Sequence, residues 1–150
     1  MAFPLPEPMR LALDIANEAA AQGEVPVGAV VMREGEVIAT SANAMRARHD
    51  PTAHAEMLAI RAAAEALASQ RLDGCDLWVT LEPCAMCAGA ISHARIARLY
   101  YAADDPKGGA VTHGPRFFTQ PTCHHAPEIY AGIGEEEAGE MLRGFFRQRR

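Results

Sequence analysis

The sequence is notable first for what is missing. No apolar run approaches the roughly 20 residues that a membrane-spanning helix needs, so no transmembrane segment is expected. The opening stretch, Met1-Ala2-Phe3-Pro4-Leu5-Pro6-Glu7-Pro8, has neither a basic region nor a long apolar one, and it does not read as a secretory signal. There are no internal repeats and no low-complexity linker, which leaves a single domain over residues 1–150 as the expectation. Positive charge is in the minority. The 14 Lys and Arg against 19 Asp and Glu leave a net charge of −5, which argues against broad, non-specific nucleic-acid binding but permits a local basic patch. Cysteine is also scarce. Two of the four cysteines read as metal ligands, which suits a reducing, cytoplasmic setting.

What remains is a chain long enough for a sizeable core, with an ordinary hydrophobic share of 49% that fits a soluble globular class. Four residues in it carry chemistry. His54 and Glu56 stand in His-Ala-Glu, and Cys84 and Cys87 stand in Pro-Cys-Ala-Met-Cys. Imidazole nitrogen and thiolate sulfur are the ligands zinc prefers in tetrahedral geometry. Three protein ligands leave a fourth position open for water, as catalytic zinc sites do, whereas structural sites are closed by four. Glu56 is then a carboxylate beside the metal, free to move protons. This arrangement matches the signature of the zinc-dependent nucleobase deaminases.

Spacing supports the grouping. Cys84 and Cys87 are three apart and share one side of a helix turn. Pro83 suits a helix start, where no donor is required. A helix N-terminus lowers a thiol pKa and favours the thiolate. His54 and Glu56 are about 200° apart on an ideal helix, so both reach one metal only if His54 sits at an irregular first turn. Asp50-Pro51-Thr52 supplies capping residues and a proline just before it. The plainer alternative is a closed structural knuckle, with Cys75 or Cys123 as fourth ligand. Cys75 has nothing of ligand spacing near it, while Cys123 is followed by His124 and His125.

The periodicity predicts alternating elements: a helix over 9–21, strands over 27–32 and 37–41, a loop over 43–50, a helix over 52–68 and a strand over 77–81. There follow a helix over 83–92, a strand over 96–101 parallel to the previous one, and a long Gly/Pro-rich loop over 104–122. A short strand over 128–131 and a last helix over 135–149 complete the chain. Ala138, Met141, Leu142, Phe145 and Phe146 form the apolar stripe of that last helix, and its acidic first turn and basic last turn suit its dipole. The expected architecture is an α/β fold, three α/β/α layers around a central mixed sheet.

Longer stretches then narrow the reading. They are Glu24-Val25-Pro26-Val27-Gly28-Ala29-Val30, Asp50-Pro51-Thr52-Ala53-His54-Ala55-Glu56, Thr80 through Ile91, Asp105-Pro106-Lys107-Gly108-Gly109-Ala110, and the ending Phe145-Phe146-Arg147-Gln148-Arg149-Arg150. Over nearly its whole length the chain resembles the bacterial tRNA-specific adenosine deaminases of the cytidine-deaminase-like superfamily. The zinc motifs would fit any nucleobase deaminase of that superfamily. The Phe-Phe-Arg ending and the Asp-x-Lys-x-Gly-Ala loop point to the tRNA branch. His124-His125 departs from the Asn-His common in the family, leaving open which of the two meets RNA.

The resemblance implies one zinc ion per subunit, a homodimer with the active site near the subunit contact, and conversion of the wobble adenosine of a tRNA anticodon to inosine. It implies that activated water attacks C6 of adenine while Glu56 handles the protons. It makes Asn43 a hydrogen-bonding partner of the flipped base, and Asp105 and Lys107 loop contacts to the anticodon stem-loop. Arg147, Arg149 and Arg150, with one of Phe145 or Phe146 facing a base (Phe145 the first candidate), are the matching candidates at the basic C-terminal end. Two rivals use the same residues. A free nucleobase or nucleoside deaminase, for guanine or cytosine, would not need that basic end. A non-catalytic zinc module would need neither Glu56 nor an open coordination position.

Overall fold

The computed structural model describes residues 4–149. Helix α1 (Glu7–Ala21) leads into strands β1 (Gly28–Arg33) and β2 (Glu36–Ala42), which pair antiparallel across the Glu34-Gly35 turn. A short helix α2 (Met45–Arg48) precedes α3 (Ala55–Leu67) and β3 (Cys75–Leu81). Helix α4 (Ala85–Ala94), β4 (Arg98–Ala103), β5 (Glu128–Tyr130) and α5 (Glu135–Arg147) follow. The sheet order is β2-β1-β3-β4-β5. β1 runs antiparallel to both β2 and β3, while β3, β4 and β5 are mutually parallel. The sheet is therefore mixed.

Side chains alternate between the two sheet faces, and each face has its own helices. On one face Ala29, Val31, Leu77, Val79, Leu99 and Tyr101 pack against Ala55, Ala59 and Ala63 of α3 and Ile91 and Ala94 of α4. On the other, Val30, Trp78 and Ala102 meet Met9, Ala12 and Leu13 of α1 and Ala138 of α5. The three expected layers are present.

Several boundaries differ from the sequence-based expectation, and each difference has a local cause. The loop over 43–50 contains α2, because the buried carboxylate of Glu24 accepts the amides of Arg46 (3.1 Å) and Ala47 (2.8 Å) at its start. Helix α3 begins at Ala55 rather than 52. Asp50 spends its side chain on the amide and hydroxyl of Thr52, at 2.8 and 2.7 Å, closing a turn ahead of the helix. Helix α4 begins at Ala85 rather than 83, and α5 ends at Arg147 rather than 149. The long loop after β4 holds one 3-10 turn, Phe117–Thr119.

Helix α1 crosses β1 at close range, and only glycine permits it: a Cβ on Gly28 would lie 2.1 Å from the carbonyl oxygen of Ala12. By contrast, a Cβ on Gly144 in α5 would meet nothing within 4 Å. The two glycines should respond oppositely to alanine. Gly28→Ala is expected to destabilise the protein by about 2 kcal/mol or more, as overpacking does. Gly144→Ala is expected to stabilise it by about 0.5–1 kcal/mol, because glycine is costly inside a helix. Urea unfolding midpoints measure both.

Candidate active site

Two helices start at one point. His54 and Cys84 are the cap residues of α3 and α4, and both have extended backbone (φ −74°, ψ 151° and φ −76°, ψ 178°). Extended dihedrals at His54 release it from the helical spiral, so its ring and the Glu56 side chain no longer diverge by the helical angle. His54 Nδ1 lies 3.7 Å from Cys84 Sγ and 3.6 Å from Cys87 Sγ. Tetrahedral zinc with ordinary Zn–N and Zn–S bonds requires an N···S edge of about 3.6 Å. The donor set thus fits zinc in chemistry and in spacing. Of the described residues, His54, Cys84 and Cys87 are the three whose ligand atoms converge here.

The electrostatics favour a metal-binding thiolate. The hydrogen bond from the Cys87 thiol, with the amides of Cys87 and Met86 at the helix start, brings the Cys84 thiol down to about 5 against the opposing effect of burial. The partner thiol of Cys87 is pushed up, as expected when one proton is shared between two sulfurs. Glu56 is only 4% exposed, and burial lifts its carboxyl to about 7. Asn43 holds the start of α3. Its Oδ1 accepts the amide of Ala55, the residue between His54 and Glu56, at 2.8 Å, and its Nδ2 donates to Val25 O at 3.1 Å. His54 cannot cap its own helix while its ring faces the sulfurs, so the acceptor comes from another segment.

Beside this centre lies a groove of about 920 Å³. One wall is the end of α5, with Leu142, Arg143, Phe146, Arg147 and Arg149; the other is the loop after β4, with Asp104, Asp105 and Lys107. Val25 and Leu81 form its apolar floor. Val25 and Asn43 share a hydrogen bond, so the groove adjoins the metal-ligand turn.

This chain matches the MafB19-like deaminase family over residues 6–150. It is 61% identical over 142 residues to a tRNA-specific adenosine deaminase of Agrobacterium fabrum, an alignment covering 95% of this chain and 93% of that protein. The chain belongs to the tRNA-specific adenosine deaminase family. A solved structure from work on A-to-I editing by tRNA:A34 deaminases at the wobble position is 60% identical, with a TM-score of 0.89, covering 90% of this chain and 98% of that one. The guanine deaminase of Bacillus subtilis has the same fold at greater distance: 32% identity and a TM-score of 0.64, over 95% of this chain and 91% of its own.

The remaining candidates for a role in this tRNA-specific adenosine deaminase family member fall into place unevenly. Asp105, Lys107 and Arg149 line the groove. Phe145 does not: it is 7% exposed, with the Arg149 guanidinium 3.8 Å above its ring. Phe146, 50% exposed, is the ring at the groove. Arg150 lies outside the described residues. His124 and His125 stand at the C-terminal end of α4, about 15 Å of helix away from Cys84. There His125 bonds Ile96 O at 2.7 Å and Ser92, and His124 packs on His93. Cys75 is a core residue and Cys123 lies against Ser92, so neither joins His54. A hollow lined by Gln70, Arg71, His93 and Arg95 sits where α3 and α4 end, and its cations complement those helix C-termini.

Sequence reasoning gave no role to two residues, the buried acids Glu24 and Glu82. An acid flanked by apolar residues just past a strand end, as in Leu81-Glu82-Pro83, is the signal that marks the last. Asn43→Ala should cost about 1–2 kcal/mol of stability by removing the cap of α3. Guanidinium unfolding of metal-free protein measures this without any contribution from substrate.

Proposed function

We propose that this protein is a zinc-dependent tRNA adenosine deaminase, a single domain that converts the wobble adenosine of a tRNA anticodon to inosine with release of ammonia. The supporting observation is the convergence of His54, Cys84 and Cys87 beside the buried carboxyl of Glu56, in a chain 61% identical to a tRNA-specific adenosine deaminase.

His54, Cys84 and Cys87 would hold the ion. When bound, zinc supplies a Lewis acid that brings the pKa of water down toward about 7. Glu56 accepts the proton of the attacking water, delivers it to N1 of the adenine ring, and assists departure of the C6 amino group. Its burial excludes bulk water as a competing proton partner. Among the described residues Asn43 Nδ2 donates to Val25 O alone, and its second hydrogen serves to read the base. The anticodon loop is single-stranded, so its bases splay out and are read on their edges and faces. In the groove, Lys107, Arg147 and Arg149 meet phosphates, Phe146 offers a stacking face, and Asp105 accepts hydrogen bonds; Arg150, which lies outside the described residues, is a further candidate for phosphate contact.

The exposed Ala85 and the small residues Gly89 and Ala90 on α4 allow close approach of another subunit, and we propose a homodimer. A cytoplasmic location fits a tRNA substrate and free thiols. Among the described residues no helix is long and apolar enough to cross a membrane. A free guanine deaminase is the second reading, favoured by the shared fold with the Bacillus subtilis enzyme.

Incubation with total tRNA should yield inosine by nucleoside analysis, and incubation with free guanine should yield no ammonia. The reverse result would establish the second reading. Glu56→Gln should keep zinc and lose at least ~10²-fold in deamination, the scale of a general acid–base group. Cys84→Ala should lose zinc as well, as metal analysis would record. Arg147→Ala with Arg149→Ala should weaken tRNA binding and flatten the slope of log affinity against log salt by about 1.5, since each phosphate contact releases counterion. Light scattering at micromolar concentration should give the mass of a dimer.

A further inference from the structure

Glu82 stands between the metal-ligand turn and the groove wall, two residues before Cys84, and its side chain is wholly buried. A buried carboxylate is costly unless its lone pairs are filled. Here they are filled entirely from one loop. Oε1 accepts the amide of Asp105 at 3.0 Å and the ring of His113 at 2.8 Å. Oε2 accepts the amides of Val111 (3.1 Å), Thr112 (3.0 Å) and His113 (3.1 Å). Asp104, Glu82 and His113 also have ligand atoms close enough to suggest a second cation site. Both Glu82 oxygens are already committed to N–H donors, so this cluster is a fastening and not a metal centre.

The loop is built to close on this carboxylate. A Cβ on Gly109 would lie 2.4 Å from Glu82 Cδ and 2.5 Å from the carbonyl oxygen of Asp105. Ala110 adds a second tie, donating its amide to Pro83 O at 2.9 Å, one residue from Cys84. Asp105 in turn accepts the amides of Lys107 (3.2 Å) and Gly108 (3.0 Å). An unbroken set of bonds therefore runs from the segment between β3 and α4 that carries Cys84 to the residues that form the groove wall.

We propose that Glu82 is a positioning residue: through the amides of Asp105 and of Val111 to His113, it fixes Asp105 and Lys107 relative to Cys84 and so sets the register of RNA in the groove against the metal site. The role in RNA register rests on the reading of the groove as the RNA surface. A neutral isostere cannot replace the carboxylate. Glutamine offers one acceptor oxygen and turns an NH₂ toward backbone donors, leaving buried amides unpaired.

The test uses zinc-loaded Glu82→Gln well below its melting temperature. Its zinc content should equal the parent's. Trypsin should cut after Lys107 at least ~10-fold faster, the factor that matches the loss of about 1.4 kcal/mol of loop restraint, while cleavage after the exposed Arg71 stays at the parental rate. KM for tRNA should rise by a similar factor, with kcat changed much less. Lys107→Ala should raise KM by itself, and the double variant Glu82→Gln, Lys107→Ala should have no higher KM than Glu82→Gln alone. A purely structural role would speed cleavage at both sites together, and that result overturns the proposal. So does parental cleavage after Lys107, or KM penalties that multiply in the double variant. If Lys107→Ala alone leaves KM unchanged, the groove reading fails at this residue, while cleavage after Lys107 still decides whether Glu82 holds the loop. Should Glu82→Gln not fold, His113→Ala removes one donor to the carboxylate, the ring, leaves its four backbone amide donors in place, and must show the same site-selective cleavage at a smaller factor for the proposal to stand.

Discussion

Helices α3 and α4 begin within reach of each other, and their first amides have no partners inside their own helices. Those amides carry partial positive charge into one small volume. Whatever fills it must be an anion or a hydrogen-bond acceptor. The chain answers with a thiolate at Cys84, a carboxyl at Glu56 and the amide oxygen of Asn43. His54 turns its ring to the sulfurs, so Asn43 supplies the capping oxygen of α3, while the sulfur of Cys84 itself lies at the amides of Met86 and Cys87 at the start of α4. The reactive centre and the stability of two helices thus draw on the same few atoms.

Two buried glutamates extend this logic outward. Glu24 collects amides from the segment that carries Arg46 and Arg48, and Glu82 collects them from the segment that carries Asp105 and Lys107. Neither segment has a regular strand or long helix to hold it. Each is held by a carboxyl group buried in the body of the domain, which restrains loops that have no regular structure of their own. Removing water from such a carboxylate is unfavourable, and the multiple N–H donors offset it.

The centre was legible from sequence because its parts are local. His-Ala-Glu and Pro-Cys-Ala-Met-Cys each lie within one turn, and the irregular start at His54 follows from the angle between positions 54 and 56. The supporting contacts were hidden because they are distant in sequence. The donors to Glu82 lie 23 to 31 residues downstream, and Glu24 caps a helix 22 residues away. Helix α2 escaped notice for that reason: four residues with no cap of their own read as loop. The Phe145–Phe146 pair was undecidable for another reason. Both are apolar neighbours on one edge of a stripe, and which one turns inward depends on where α5 lies on the sheet.

Helix α5 has three glutamates in its first turn and arginines toward its end, over about 20 Å of length. At physiological ionic strength, fields decay over about 8 Å, so an approaching polyanion feels the two ends separately. One end repels it and the other draws it in. Such a helix would exert a torque on a polyanion before contact, and encounters in the wrong orientation would separate quickly. An acidic protein can in this way capture an acidic partner at a useful rate, because the sign of the local field along one rod matters more than the sign of the total.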